Sequence, residues 1–141
     1  MEKSPAAMHY LRKNAAYHQS QLQIMQADVL LPETAQQLQE LDIIVSNPPY
    51  LTAQEMQELQ TEVRHEPELA LYGLTADGLH FYREITKLWK SSLRTGGLLA
   101  YEVGDGQAQQ VAAILQEHGF SDVRILCDLA GNPRVVEGIY R

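Results

Sequence analysis

Two adjacent prolines follow directly on a short apolar run, and they constrain the fold more than any other feature of the chain. Residues 41–45, Leu-Asp-Ile-Ile-Val, are rich in β-branched side chains and predict a buried strand. Pro48 and Pro49 have no backbone N–H to donate, so neither a strand nor a helix can continue through them. The sequence therefore predicts a stiff turn, from Asn47 to Tyr50, at the carboxyl end of a buried strand.

Strand and helix patterns alternate along the rest of the chain. Four helices are predicted. The first two lie at about 4–17 and 53–63, the third runs from Leu79 and ends at Gly96-Gly97, and the fourth runs from Val111 to Gly119. Further strands are predicted at 22–26, 98–103, 123–127 and 135–140, with a short helix or loop at 33–40 and a loop at 64–76. The alternation predicts an α/β protein with a mostly parallel sheet. The last two strands have no helix between them, so they should pair antiparallel or lie side by side.

The composition is that of a soluble protein with one domain, since 45% of its 141 residues are hydrophobic and 21% are charged. No apolar run approaches the roughly 20 residues that span a bilayer, and no signal peptide is evident, so we expect no membrane association. The net charge of −7 weighs against a protein that coats nucleic acid. Cys127, the single cysteine, excludes an internal disulfide, favours the cytoplasm and is predicted to lie in the core. The five histidines have no metal-ligand spacing, so no metal site is predicted.

The turn after the buried strand carries groups suited to chemistry. In open α/β sheets, ligands bind at the carboxyl ends of the strands. The side chain of Asn47 and the carbonyl of Pro48 can accept hydrogen bonds from an NH2 group, and the Tyr50 ring can stack on a planar amide or base. These residues predict binding of a planar substrate with an amide or exocyclic NH2. A plain Pro-Pro loop with a buried tyrosine is the alternative.

Several motifs resemble one known family. Residues 45–50, VSNPPY, resemble the signature of amino-group methyltransferases that use S-adenosylmethionine. Four further stretches resemble, in the right order, motifs of the HemK/PrmC family of protein-(glutamine-N5) methyltransferases: EPELAL at 66–71, ADGLHFYR at 76–83, GGLLAYEVGDGQ at 96–107 and DLAGNPRVV at 128–136. The resemblance covers nearly the whole chain.

The resemblance implies a Rossmann-like S-adenosylmethionine-dependent methyltransferase fold with a closing antiparallel strand. It implies transfer of a methyl group to the side-chain amide of the glutamine in the GGQ motif of peptide-chain release factors. The catalytic and substrate-binding residues would be Asn47, Pro48, Pro49 and Tyr50, and the cofactor-binding residues would be Glu2, Asp28, Val29 and Asn47. Asn47 and the Pro48 carbonyl would bind the substrate amide, Glu2 the ribose hydroxyls, and Asp28-Val29 the adenine.

Part of the family pattern has no counterpart in these residues. The family's N-terminal helical domain and glycine-rich cofactor loop would precede Glu2, and Gly104-Asp105-Gly106 is predicted to be only a turn. The chain is therefore interpreted as a single partial catalytic domain over 1–141, truncated at its N-terminal strands. Strand 41–45 would then have an unpaired edge. That edge predicts a homo-oligomer, or a sheet in which strand 22–26 moves in beside it.

Three hypotheses follow from the sequence. The first is a methyltransferase that modifies release factors, with no direct contact to nucleic acid; a ribosomal-protein glutamine is an alternative substrate of the same chemistry. The second is a nucleic-acid methyltransferase that acts on the amino group of adenine or guanine, since the same turn suits both kinds of NH2 group. The third is a fragment that is inactive as it stands.

Overall fold

The computed structural model describes residues 1–57 and 67–141, which divide into two compact units, 1–38 and 39–141. The first unit contains helix α1 (Pro5–Tyr17) and the short helix α2 (Pro32–Gln36). The Ser4 hydroxyl oxygen accepts a hydrogen bond from the N–H of Ala7 at 3.3 Å and caps α1, with Pro5 at its first position. The predicted helix at 4–17 is thus confirmed to within a residue.

The predicted strand at 22–26 is wrong. Only an isolated parallel bridge forms there, between Glu2 and Gln26, and 67% of Leu22 is exposed. A strand needs a continuous ladder of backbone partners, and one bridging residue does not supply it. The alternative in which 22–26 moves in beside strand 41–45 is therefore wrong as well.

The second unit contains one sheet with helices between its strands. Its elements in chain order are β1 (Leu41–Ser46), α3 (Ala53–Gln57), α4 (Glu68–Leu71), α5 (His80–Trp89), a 3₁₀ turn (Lys90–Ser92), β2 (Leu93–Glu102), α6 (Ala108–Glu117), β3 (Phe120–Cys127) and β4 (Pro133–Tyr140). The strand order is β1-β2-β4-β3, with β1 and β2 parallel and the other two pairs antiparallel. The α/β architecture and the antiparallel closing strands are confirmed. The sheet is mixed rather than mostly parallel, because β4 follows β3 as a hairpin and inserts beside β2.

The core of this unit lies between the sheet and the inner faces of α5 and α6. Tyr82 of α5, Tyr101 of β2 and Leu115 of α6 are all 0% exposed. The rings of Tyr82 and Tyr101 meet edge to face, with centroids 5.2 Å apart, and the Tyr101 hydroxyl hydrogen-bonds the Thr86 hydroxyl at 2.9 Å. Burial raises the pKa of the Tyr101 phenol. Tyr101 is therefore a core residue of this unit.

Two predicted boundaries around the glycine pair and the long loop are wrong. Helix α5 ends at Trp89, and Gly96-Gly97 lies inside β2, where the pairing with β1 shifts register. Gly96 has a φ of +80°, a conformation that suits an irregularity in a strand as well as a helix end. The loop predicted at 64–76 contains the short helix α4. The predicted helix 53–63 begins as expected with α3, and its part after residue 57 lies outside the described residues.

Strand β1 is at the edge of the sheet that the described residues form, where it pairs with β2 alone. The predicted open edge is confirmed, but the predicted burial is wrong, since Ile43 is 59% and Val45 74% exposed. Cys127 is also exposed rather than in the core, because it lies at the last residue of β3, paired with Pro133. Within residues 1–57 and 67–141, no helix is long and apolar enough to cross a membrane.

Candidate functional site

Residues 47–50, called the NPPY loop below, lie at the carboxyl end of β1. Ser46 at the end of β1 pairs with Tyr101 of the parallel strand β2, so both strands end at the same edge of the sheet. Asn47 is exposed, Pro48 is buried, and Pro49 and Tyr50 are half-buried. The prediction that the turn follows a strand at its carboxyl end is confirmed, although the strand itself is not buried.

A short backbone ladder holds the chain directly after the NPPY loop. The N–H of Leu51 donates to the carbonyl of Leu71 at 2.9 Å, and the N–H of Gly73 donates to the carbonyl of Leu51 at 2.8 Å. Leu51 and Tyr72 thus form a parallel bridge. The loop is therefore anchored on one side by β1 and on the other by the segment that contains α4.

Thr52 and Glu55 form a capping box at the start of α3. The N–H of Thr52 donates to the Glu55 carboxylate at 2.8 Å, and the N–H of Glu55 donates to the Thr52 hydroxyl oxygen at 3.3 Å. This reciprocal pair satisfies two backbone donors at the helix start. The helix therefore begins at a defined residue, Ala53, three positions after the NPPY loop ends.

The buried side chain of Gln107 contacts the NPPY loop from the other side. Its Nε2 donates to the carbonyl of Tyr50 at 3.1 Å and to the carbonyl of Asp77 at 3.3 Å. Its Oε1 accepts from the N–H of Gly104 at 3.2 Å, and the Tyr82 hydroxyl lies 3.5 Å away. The Tyr82 hydroxyl also donates to the carbonyl of Glu102 at 3.1 Å. One carboxamide thus joins three backbone segments.

Glycines at 78 and 104 make room for this arrangement. A Cβ on Gly78 would lie 2.1 Å from the Tyr50 carbonyl oxygen, and a Cβ on Gly104 would lie 2.7 Å from Cδ2 of the Tyr50 ring. Real Cβ atoms do not approach other atoms so closely. Tyr50 is therefore packed directly against the backbone on both sides.

The NPPY loop has two hydrogen-bond acceptors, the side chain of the exposed Asn47 and the carbonyl of the buried Pro48. Among the described residues, none donates a hydrogen bond to the Asn47 side chain or to the Pro48 carbonyl. Burial raises the pKa of the Tyr50 phenol, and the Glu102 carboxylate adds to this. Tyr50 is therefore neutral near pH 7. The loop presents two fixed acceptors and an uncharged ring, which suits an NH2 group on a planar substrate.

The residues implied for the cofactor lie in the first unit, apart from Asn47. The bridge between Glu2 and Gln26 rests on two backbone hydrogen bonds of 3.0 Å, from the N–H of Glu2 to the Met25 carbonyl and from the N–H of Ala27 to the Glu2 carbonyl. This places Glu2 beside the segment that leads into Asp28 and Val29, and all three residues are half-buried.

The two carboxylates of this segment differ in what they already bind. One oxygen of Glu2 accepts the N–H of Ser4 at 2.6 Å, and its other oxygen has no donor among the described residues. Asp28 accepts the N–H of Leu30 at 2.9 Å and pairs with the Lys3 ammonium at 2.7 Å. The hydrogen bond from Lys3 lowers the pKa of the Asp28 carboxyl. Since a carboxylate has about four acceptor sites, Glu2 retains enough of them for two ribose hydroxyls, so the residues present fit S-adenosylmethionine at its ribose.

Sequence reasoning gave no role to Gln107, Gly78 or Tyr82, although all three lie within motifs that resemble the family. Gln107 and Gly78 contact Tyr50, which lies 57 residues from Gln107 in the sequence, and the Tyr82 hydroxyl lies beside the Gln107 carboxamide. The only sequence pattern that could have indicated a role for Gln107 is its position, three residues after Gly104 and directly before an apolar helix. Among the described residues, no group of three or more His, Cys, Asp or Glu side chains could hold a metal ion.

Comparisons with known proteins place the chain among relatives of one kind. No protein-family model matches it. A protein from Geobacter sulfurreducens named "Release factor glutamine methyltransferase" is 38% identical over 139 residues, which is 98% of this chain and 48% of that protein. One of the same name from Fusobacterium nucleatum is 48% identical over 96 residues, which is 67% of this chain and 27% of that protein. The chain thus spans about half or less of the length of these relatives.

A solved structure supports the fold. A methyltransferase from Pyrococcus furiosus superposes with a TM-score of 0.63 at 15% identity, over 97% of this chain and 59% of that one. At this identity the likeness concerns the fold alone. The chain has the α/β fold of Rossmann-like methyltransferases, with a mixed sheet of four strands.

Proposed function

Because the chain belongs to the family of release factor glutamine methyltransferases, we propose that it forms part of a catalytic domain that methylates a glutamine side chain. The acceptor is the side-chain amide nitrogen of the glutamine in the GGQ motif of peptide-chain release factors. The donor is S-adenosylmethionine. The observation that carries the proposal is the NPPY loop, whose Asn47 side chain and Pro48 carbonyl are unoccupied acceptors at the carboxyl end of β1.

The proposed role of the NPPY loop is to orient the weakly nucleophilic amide nitrogen for attack. An amide nitrogen is a poor nucleophile because its lone pair is delocalised into the carbonyl. If Asn47 Oδ1 and the Pro48 carbonyl each accept one N–H, they fix the plane of the NH2 group, so that its lone pair points in one direction. When bound, S-adenosylmethionine supplies a methyl group made electrophilic by its sulfonium sulfur. The Tyr50 ring lies against the glutamine side chain, and because its phenol stays protonated it is not a base.

Glu2, Asp28, Val29 and Asn47 are proposed to bind the cofactor. Glu2 is proposed to accept the two ribose hydroxyls with the acceptor sites that Ser4 leaves open. Asp28 and Val29 are proposed to contact the adenine, with the Asp28 carboxylate kept in place by Lys3. Asn47 is proposed to lie near the cofactor as well as the acceptor, as an in-line transfer requires.

The test is transfer of a labelled methyl group to a release factor. The 141-residue chain and a longer protein that contains it are incubated with labelled S-adenosylmethionine and either a release factor, a ribosomal protein, DNA or RNA. We expect label on the GGQ glutamine, and none on a release factor whose GGQ glutamine is replaced by alanine. Label on DNA or RNA with an unlabelled release factor would contradict the proposal, and label on the ribosomal protein alone would reassign the substrate.

Two observations bear on the hypotheses that compete with this one. The net charge of −7 is unfavourable for contact with nucleic-acid phosphates, so the nucleic-acid substrate is not favoured. The 141 residues can transfer a methyl group by themselves only if they bind the cofactor. Calorimetry with S-adenosylmethionine decides it: micromolar binding by this chain argues against an inactive fragment, and no binding argues for one. A location in the cytoplasm stays a prediction from the single cysteine.

The edge of β1 supports a proposal about assembly. It exposes Ile43 and Val45, and its open edge pairs with no strand that the described residues form. Such an edge is a template for pairing with another strand. We therefore propose self-association of this chain through β1, to be measured by light scattering. Val45→Lys should shift the chain toward the monomer, and a wild-type chain that is monomeric at all concentrations would contradict the proposal.

A further inference from the structure

We propose that Gln107 is a positioning residue for the NPPY loop: its carboxamide fixes the Tyr50 carbonyl and, through it, the two acceptors at Asn47 and Pro48. The substrate of the loop rests on the proposed function above, whereas the positioning itself rests on contacts within residues 39–141. Gln107 is 9% exposed, and its side chain lies among backbone groups of three segments.

The orientation of the carboxamide is determined by its neighbours. The N–H of Gly104 can only donate, so the atom beside it must be the oxygen. The carbonyls of Tyr50 and Asp77 can only accept, so the atom that faces both must be the nitrogen. A flipped amide would lose all three hydrogen bonds. Gln107 therefore satisfies both of its N–H groups and its oxygen at once, which no other uncharged side chain of this length can do.

Because of the two prolines, the position of the Tyr50 carbonyl affects the positions of the acceptors at Asn47 and Pro48. Pro48 and Pro49 have φ locked near −65°, so the loop has few torsions that can absorb a displacement. If the carbonyl of Tyr50 moves, the movement passes back along the stiff segment to the Pro48 carbonyl and to Asn47. One hydrogen bond at the end of the loop thus sets the direction of two acceptors that form none themselves among the described residues.

The residues packed around Gln107 leave little room for a side chain of another shape. Gly78 and Gly104 bring backbone against Tyr50 so closely that a Cβ at either position would lie within 3 Å of both Tyr50 and the Gln107 carboxamide. The space between the three segments therefore holds one side chain, and that side chain is the one whose polar atoms match every neighbour.

The test uses two substitutions that keep the size of the side chain. Gln107→Met removes both donors and the acceptor. Gln107→Glu keeps an acceptor for Gly104, but once ionised it has no proton for the Tyr50 carbonyl and sets a charge against two carbonyl oxygens. The matched controls are Gln109→Met and Gln109→Glu, the same changes at an exposed position of α6. The readout is the NMR signal of the Asn47 side-chain NH2 and of the Tyr50 ring in the 141-residue chain.

We expect both signals to shift or broaden in Gln107→Met and to stay in place in both controls. In Gln107→Glu they should depend on pH, because the protonated carboxyl resembles the carboxamide, with one donor and one acceptor. Burial raises the pKa of such a carboxyl, so the signals should approach those of the wild type below about pH 5 and depart from them above about pH 7. Glu102, Asp105 and the Asp77–Arg83 pair also carry charge nearby, so the wild type is titrated in parallel and its shifts are subtracted.

A merely stabilising role would lower the melting temperature of both Gln107 variants and leave the two signals unchanged at all pH values. That result would overturn the proposal, as would a Gln107→Glu protein whose signals follow the wild type throughout. If Gln107→Met fails to fold, the pH series of Gln107→Glu decides alone, and an absence of recovery at low pH counts against the proposal.

Activity gives a separate measure that distinguishes this inference from the proposed function. In an active protein that contains these residues, Gln107→Met should lower kcat for methyl transfer about 10-fold or more, since misplaced acceptors affect the attack geometry. The KM for S-adenosylmethionine should change less than about twofold, because uniform binding is not altered. If the release factor is not a substrate at all, the NMR result still stands on its own.

Discussion

The NPPY loop and the segment from Glu2 to Asp28 are held in different ways. The loop is tied to residues distant in the sequence, since Gln107 and Tyr50 are 57 positions apart. The segment is tied mostly to near neighbours, since Glu2 accepts from Ser4 and Asp28 accepts from Leu30, each two positions away. Its nonlocal contacts include the isolated bridge from Glu2 to Gln26 and the Lys3–Asp28 ion pair.

The difference separates the proposed acceptor-binding residues from the proposed cofactor-binding residues by what their geometry depends on. The acceptor side is formed only when β1, β2 and α6 are folded together, so changes to the residues that hold the NPPY loop in place should alter stability and catalysis together. The cofactor side depends on a few backbone hydrogen bonds and one ion pair. Changes there should be small in stability and visible mainly in cofactor affinity.

The largest effect is expected for Asn47→Ala. The substitution removes the side-chain acceptor for the substrate amide, and losing one preorganised polar contact at a reacting group lowers the rate about 100-fold or more. Asn47 is exposed and its side chain forms no hydrogen bond within the described residues, so the melting temperature should hardly change. The measurement is methyl transfer to a release factor, with Asn14→Ala, at an exposed position of α1, as the control. A rate within twofold of the wild type would remove Asn47 from the proposed mechanism.

The next effect tests the close packing of the loop. Gly78 and Gly106 have similar left-handed backbones, with φ of +67° and +75°, but a Cβ on Gly78 meets the Tyr50 carbonyl at 2.1 Å, whereas one on Gly106 meets nothing within 4 Å. Gly106→Ala should therefore cost about 1 kcal/mol of unfolding free energy from backbone strain alone. Gly78→Ala should cost about 3 kcal/mol, because the loop must also move. Denaturant unfolding measures both, and equal costs would mean that the loop is not packed against Gly78 as described.

The same contrast explains what the sequence could predict. The position of the NPPY loop follows from local rules, because a β-branched run and two prolines determine where a strand ends, and the predicted turn is confirmed. The capping box of Thr52 and Glu55 follows from a local rule as well, and both hydrogen bonds are present. Gln107 could not be found in this way, because its role depends on which backbone groups the fold brings around it.

Errors in the sequence prediction arose where a local pattern fits two structures. Gly96-Gly97 fits a helix stop, but it lies at a register shift inside β2. Residues 22–26 have the composition of a strand, but a strand forms only where a neighbour supplies a ladder, and the bridge to Glu2 is a single pair. The burial predicted for 41–45 failed for a related reason, since β1 has a strand on one side only. Long-range pairing determined each outcome.

A smaller effect is expected on the cofactor side, for Glu2→Gln. The amide oxygen can still accept the N–H of Ser4, so the local structure should remain. The loss of a charged acceptor for a ribose hydroxyl should weaken binding of S-adenosylmethionine about 10-fold, or about 1.4 kcal/mol. Calorimetry measures the affinity, and Glu33→Gln, on the short helix α2 of the same unit, is the control. A stability loss as large as that of Gly78→Ala would contradict the view that this segment is held mostly by local hydrogen bonds.

The smallest effect concerns the ion pair of Lys3 and Asp28. The hydrogen bond from Lys3 holds the pKa of Asp28 below its ordinary value of 3.8, so the carboxylate is favoured in the folded chain. The stability it contributes is therefore complete above pH 3.8 and is lost as the pH falls through the lower folded value. Because 55% of the Lys3 side chain is exposed, the contribution should be under about 1 kcal/mol.

Lys3→Met should move the Asp28 titration back toward its ordinary value, since the N–H of Leu30 then remains as the chief hydrogen-bond donor. The Leu30 amide signal, followed by NMR through acid pH, reports this titration directly. Lys13→Met, which removes an exposed lysine of α1, should leave the midpoint unchanged. If Lys3→Met also left the midpoint unchanged, the Asp28 carboxylate would be stabilised by backbone hydrogen bonds alone. The contrast with the NPPY loop, which the Gln107 side chain holds, would then become sharper.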